Sequence, residues 1–175
     1  MWKGDPTTWG LRFRRMASSD IDVMSALVGD PQVMRYYSAP KTREQAADWI
    51  SWSRAHHAAY GFGLWISETV AGEFIGDCGL TWQEVNRAPQ TEVGYHVRSE
   101  LQGLGYATEA GAACLEFARD HTDADCVVGI IHPENRPSER AAEEIGMTLV
   151  GDDQGSSFLR RVSSVAVQCA SSGAR

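Results

Sequence analysis

The chain lacks any apolar run approaching the roughly 18 residues that a membrane-crossing helix needs, so no membrane contact is expected of its 175 residues. It also lacks an excess of positive charge. Lys and Arg number 16 against 23 Asp and Glu, a formal charge of −7. Non-specific nucleic-acid binding needs a basic footprint, so nucleic acid is excluded as a partner. An acidic surface is compatible with cationic partners such as amines. Cysteine is scarce: Cys78, Cys114, Cys126 and Cys169 form no C-x-x-C pair and have no zinc spacing with histidine. No metal site is expected, and the thiols read as reduced and mostly buried in a cytoplasmic protein. The opening MWKGDPTTWG carries no apolar segment of the secretory type, so no export is expected. Repeats, low-complexity tracts and linkers are absent too. The chain therefore reads as one domain, residues 1–175, with loose tails at 1–8 and 170–175.

What is present is an interleaving of short strands and amphipathic helices. In WGLRFRRM, Leu11 and Phe13 alternate with Arg12 and Arg14, which predicts a strand. A helix follows, with Ser19 as its cap, Ile21, Met24, Leu27 and Val28 as its stripe, and Gly29 as its stop. Thr42 and Gln45 stand at capping-box spacing ahead of a second helix, which puts Ala46, Trp49, Ile50 and Ser53 on one face and leaves His56 and His57 in solvent. FGLWIS, GEFIGDCGL and TEVGYHV read as strands, and CVVGII as a strand covered on both faces. PSERAAEEIG is a short helix with Pro137 in its first turn and Gly146 at its stop. MTLVG and SFLRRVSSVAV close the chain as strands. The predicted fold is α/β in the α+β sense, a mixed sheet with about four helices packed on it.

Between TEVGYHV and the helix carrying Ala107, Ala110, Cys114, Phe117 and Ala118 lies ELQGLGYATEA. No Walker A string occurs, and GLGYAT puts Thr108 where a dinucleotide fingerprint needs its third glycine. Two readings remain open: a tight empty turn, or an anion site made by the free N–H groups and positive dipole end of a helix.

The wider pattern carries a resemblance. Gln102–Ala107, QGLGYA, resembles the Q/R-x-x-G-x-G/A signature of the GNAT superfamily of N-acetyltransferases. LRFRRM, EVGYHV and HPENRPSERAAEEIGM, in that order, are similar to the branch that includes the ribosomal-protein-alanine N-acetyltransferases. The resemblance covers about residues 9 to 168 and implies a mostly antiparallel sheet splayed in the middle, with acetyl-CoA as cosubstrate. It implies that Gln102, Gly103, Leu104, Gly105, Tyr106, Ala107 and Thr108 hold the diphosphate of coenzyme A. Val97 and Arg98 end the splayed strand, Asn135 would contact the pantetheine arm, and Arg140 a phosphate. Arg35, Tyr36 and Tyr37 would line the acceptor wall. The resemblance implies a monomer or a homodimer.

Acetyl transfer to an amine needs a neutral nucleophile, a polarised carbonyl and a proton for the thiolate. An α-amine is roughly a tenth to a sixth neutral at pH 7, and a lysine amine only about one part in 2,500. A protein N-terminal α-amine therefore asks for only a modest base. Glu92 is the candidate base, working through a water; the alternative is a salt-bridged strand carboxylate. Strand alternation puts Glu92, Gly94 and His96 on one face, with His96 a positioner or a packed side chain. A backbone N–H near Val97 would polarise the carbonyl. Relatives use a tyrosine beyond the asparagine as acid, but here Tyr36, Tyr37, Tyr60, Tyr95 and Tyr106 all precede Asn135. Ser138 is the candidate acid; its other reading is part of the short helix's cap. Two further readings stay open: a small-molecule acceptor (antibiotic, polyamine or amino acid), and a catalytically weak CoA-binding domain.

Overall fold

The alternation at the start of the chain builds β1 (Leu11–Arg15), with Leu11 and Phe13 buried. The computed structural model describes residues 4–6 and 8–168; the remaining tail residues, Cys169 among them, lie outside the described residues. The part of the N-terminal tail that is described is not loose. Asp5 accepts the indole N–H of Trp65 at 2.8 Å, Pro6 is buried, and the Thr8 hydroxyl bonds the Glu109 carboxylate.

A 3-10 turn over Ser18–Asp20 precedes α1 (Ile21–Gly29). Ser19 lies inside that turn, so it is not the cap. Asp20 takes the N-cap position, and its carboxylate accepts the Ala17 N–H at 2.7 Å and both Arg14 guanidinium ends. α2 (Arg43–Tyr60) opens with the predicted box: Thr42 and Gln45 each accept the other's backbone N–H. His56 and His57 are buried rather than solvated. Gly61 ends α2 in the left-handed region at φ 79°, and the returning chain presents the Phe62 and Leu64 carbonyls to His56 Nδ1 and His57 Nε2, at 2.7 and 3.0 Å. His56 Nε2 accepts the Trp82 N–H, which fixes it as the neutral ring. Burial holds His57 below the usual imidazole range.

Among the described residues, seven strands follow the order β1-β2-β3-β4-β5-β7-β6. β2 (Leu64–Thr69), β3 (Phe74–Val85) and β4 (Ala88–Val97) form an antiparallel meander. β3 and β4 run past their predicted ends and meet at Asn86 and Arg87, both at positive φ, the conformation a two-residue hairpin turn demands. Asp153 accepts the Asn86 N–H and so braces that turn. α3 (Tyr106–His121) crosses to β5 (Cys126–Ile131), which pairs in parallel with β4. α4 (Arg136–Glu144), β6 (Thr148–Asp152) and β7 (Arg161–Ala166) complete the sheet. β7 starts later than predicted, because Ser157–Arg160 belongs to the loop that Arg160 ties to Asp153. Helices cover both faces. Met24, Leu27, Val28, Ala46 and Ile50 pack on Leu64 and Ile66 on one side; Ala110, Cys114, Phe117 and Ala118 pack on Trp65, Cys78 and Val127 on the other. The sheet is mixed and mostly antiparallel, as expected.

Candidate active site

β4 and β5 share a single registered pair, Glu92 with Val128, yet β4 continues to Val97 and β5 to Ile131. Beyond that pair the strands part. β4 instead hugs β3: a Cβ at Gly76 would lie 1.9 Å from the His96 carbonyl oxygen, an approach that only glycine permits. Arg98 donates its N–H to the Ile75 carbonyl on β3. By strand alternation the N–H groups of Val97 and Tyr95 then point the other way, into the gap.

At the foot of the gap, β4 passes through a 3-10 turn, Ser99–Leu101, into the glycine loop. Gly103 and Gly105 have φ of 78° and 88°, and a Cβ on either would meet nothing within 4 Å. These glycines serve backbone conformation and leave open space above them. Gly105 is the N-cap of α3 and supplies no side-chain cap bond. The N–H groups of the first turn of α3 therefore face outward, unclaimed by a cap. Together with the helix dipole they fit an anionic diphosphate. The Gln102 side chain pins the loop to the end of β4 by donating to the Val97 carbonyl at 3.0 Å, and Thr108 donates to Glu144 on α4 at 2.7 Å. The Arg98 guanidinium already holds the Phe74 carbonyl, Glu100 and Glu73. Arg140 is exposed on α4. Asn135 is the N-cap of α4, its oxygen accepting the Ser138 N–H at 3.2 Å. The Ser138 hydroxyl sits 3.3 Å from the Tyr95 hydroxyl, which also donates to the Ser138 carbonyl.

Glu92 stands where the strands part. Thr81 is its cross-strand neighbour, and the Ile130 backbone lies across the gap. Burial pushes the Glu92 carboxyl up to about 7, and Arg160, His96, Ile130 and Thr81 only partly offset that. His96 lies on the same face, as alternation predicts. Its Nδ1 is 2.7 Å from Asp77 Oδ1 and its Nε2 is 2.7 Å from the Tyr37 hydroxyl. Trp49 on α2 donates to the other oxygen of Asp77 at 3.1 Å. Burial pulls His96 down, but the Asp77 carboxylate, with Glu92 behind it, outweighs that and holds it above the usual imidazole range. Burial, reinforced by Glu92 and Asp77, raises the Tyr37 phenol.

Tyr36 and Tyr37 lie between α1 and α2 and reach opposite lips of the gap. Tyr37 bonds to β4; Tyr36 donates to the Glu134 carbonyl at 3.1 Å and stacks on His132, beyond β5. Arg35 sits over the Tyr36 ring, 5.0 Å from its centroid. Beside this strap a cleft of about 390 Å³ is lined by Lys41, Gln45, Asp48, Trp49, Trp52 and Gln83. Sequence reasoning brought Glu92, the glycine loop and the two tyrosines to one region. It missed Asp77 and Trp49 as partners of His96. The one signal for Asp77 was an acidic residue inside the otherwise apolar strand FIGDCGL.

The sequence profile of the Acetyltransferase (GNAT) domain matches residues 10–148. Among curated relatives, the uncharacterized protein YkkB of Bacillus subtilis strain 168 is 37% identical over 139 residues, which span 78% of this chain and 81% of that one. Among solved structures, an acetyltransferase from Agrobacterium tumefaciens str. C58 has the same fold, with a TM-score of 0.81 at 23% identity, over 94% of this chain and 96% of that one. A RimL ribosomal alpha-N-protein acetyltransferase in complex with coenzyme A has a TM-score of 0.74 at 17% identity, over 92% and 96% of the two chains.

Proposed function

The chain belongs to the GNAT acetyltransferase family, and on that premise we propose that it moves an acetyl group from acetyl-CoA directly to a primary amine, with Glu92 as the base. Acetyl-CoA supplies the activated thioester. The glycine loop and the outward N–H groups of the first turn of α3, through Thr108, hold its diphosphate, with Arg140 near a phosphate and Asn135 beside the pantetheine arm. The N–H groups of Val97 and Tyr95 face the gap, where one can donate to the acyl oxygen as charge develops there.

The observation that carries this reading is Glu92. A carboxylate poised near 7, at the one point where β4 and β5 part, can take a proton from an α-amine, directly or through a water, and release it at neutral pH. The acceptor enters by the cleft beside Tyr36 and Tyr37, with Arg35 at its edge. That an amine is the acceptor is supported by Trp49, whose ring already holds the Lys41 ammonium 5.2 Å from its centroid.

The test is a screen of amines against acetyl-CoA, following release of the free thiol. It would include N-terminal peptides, polyamines, amino acids and aminoglycosides. Turnover with at least one class is expected, with a rate that rises through about pH 7. Calorimetric titration that finds no acetyl-CoA binding overturns the reading.

A further inference from the structure

We propose that Asp77, His96 and Tyr37 form a proton relay, and that Tyr37 is the general acid that protonates the departing thiolate. The inference rests on the acetyl-transfer reading above.

The geometry begins at Asp77, which is fully buried on β3 and placed opposite His96 by the sheet register. A carboxylate only accepts, so His96 Nδ1 carries a hydrogen and donates it to Asp77. Trp49 donates to the second oxygen of Asp77 and fixes the carboxylate from the α2 side. The orientation of the ring is thereby set, and Nε2 is delivered to the Tyr37 oxygen at 2.7 Å. The direction of that last bond then depends on the charge of His96. When the imidazole is neutral, Nε2 accepts, and the only hydrogen on the phenol is committed to it. When the imidazole is cationic, Nε2–H donates to the phenol oxygen, and the hydrogen of Tyr37 is released to point elsewhere. Protonation of His96 thus arms Tyr37 as a donor.

The step balances without an outside reagent. The O–H bond of Tyr37 breaks as S–H forms, and Nε2 passes its proton to the phenol oxygen. Tyr37 ends neutral, His96 ends neutral, and Asp77 stays ionised. Glu92, holding the proton taken from the amine, lies on the same face of β4 as His96 and can return it through water. The charged and titratable groups that face His96 are Asp77 from β3, Glu92 from β4, and Tyr37 and Lys41 from the segment before α2; α2 itself offers the uncharged Trp49. Ser138 is the competing donor, but its hydroxyl pairs with Tyr95 on the other face of β4.

Tyr37→Phe is the test, read against Ser138→Ala. With acetyl-CoA and the amine found by the screen, Tyr37→Phe should lose about 10²–10³ in kcat with KM for acetyl-CoA within about twofold. It should lose the alkaline limb of the pH profile as well. With para-nitrophenyl thioacetate as donor, whose thiolate leaves unprotonated, the loss in Tyr37→Phe should shrink by at least about tenfold. A readout that needs no acceptor is NMR titration of the His96 ring: Asp77→Asn should move its midpoint down. Wild-type kcat in Tyr37→Phe, a loss confined to Ser138→Ala, or a His96 midpoint indifferent to Asp77→Asn would each overturn the relay. A wild type that fails to bind acetyl-CoA would instead sink the transferase reading.

Discussion

Glu92, the proposed base, also weighs on stability. Burial lifts its carboxyl from the ordinary 4.5 to about 7, so the folded protein binds that proton more tightly than the unfolded chain does. The stability so gained is fully present below about pH 4.5 and is lost as pH rises through about 7. Glu92→Gln removes the charge and keeps the shape. At pH 8 the variant should be more stable than the wild type by about 3 kcal/mol, one pKa unit being worth about 1.4. At pH 4 the two should unfold alike. Denaturant melts at the two pH values check this. Turnover of the variant should fall by about 10²–10⁴ above pH 7, where Glu92 is ionised, and by less below it. A variant that is neither stabilised at pH 8 nor slowed would mean that Glu92 is an ordinary strand carboxylate.

The elements differ in how much they depend on single positions. Gly105 begins α3 at a positive φ, with open space where a side chain would be. Gly105→Ala therefore meets no steric clash and pays only for conformation, about 1–2 kcal/mol by denaturant melts. The same strain turns the first N–H groups of α3, so acetyl-CoA affinity by calorimetry should drop several-fold. Thr42→Ala, by contrast, should cost about 1 kcal/mol through the lost α2 cap and leave acetyl-CoA affinity intact. Elements with a clear period were legible: Leu11 and Phe13 in β1, the Thr42–Gln45 box of α2, and the unbroken CVVGII of β5. The β3–β4 hairpin was not, because its turn uses Asn86 and Arg87 at positive φ, and arginine gives no turn signal. Asp77 could not be matched to His96 for the same reason: only that turn sets the register that brings them together. The buried His56 and His57 were missed because their partners are carbonyls of the returning chain, which no helical period reveals.

At the scale of the whole molecule, the candidate site belongs to no single element. Its loop lies between β4 and α3, its base on β4, its strap between α1 and α2, and its second lip between β5 and α4. A ligand that spans them should bind the folded chain and not the unfolded one. At about 100 times Kd, acetyl-CoA should add about 2.7 kcal/mol of stability, a rise in Tm of roughly 5–10 °C for a chain of this length. Differential scanning calorimetry checks it; an unmoved Tm would mean that the loop, lips and strap do not act as one site.

The parting of β4 from β5 has a consequence in time as well as in space. Two amides in the middle of a seven-stranded sheet, those of Tyr95 and Val97, are turned toward the gap, while those of Gly94 and His96 are turned toward β3. In heavy water the first pair should exchange their hydrogens orders of magnitude sooner than the second, though all four sit on one strand. Binding of coenzyme A should slow the fast pair and leave the slow pair as they were. The central strand thus carries two clocks, one on each edge, and a ligand resets only one of them.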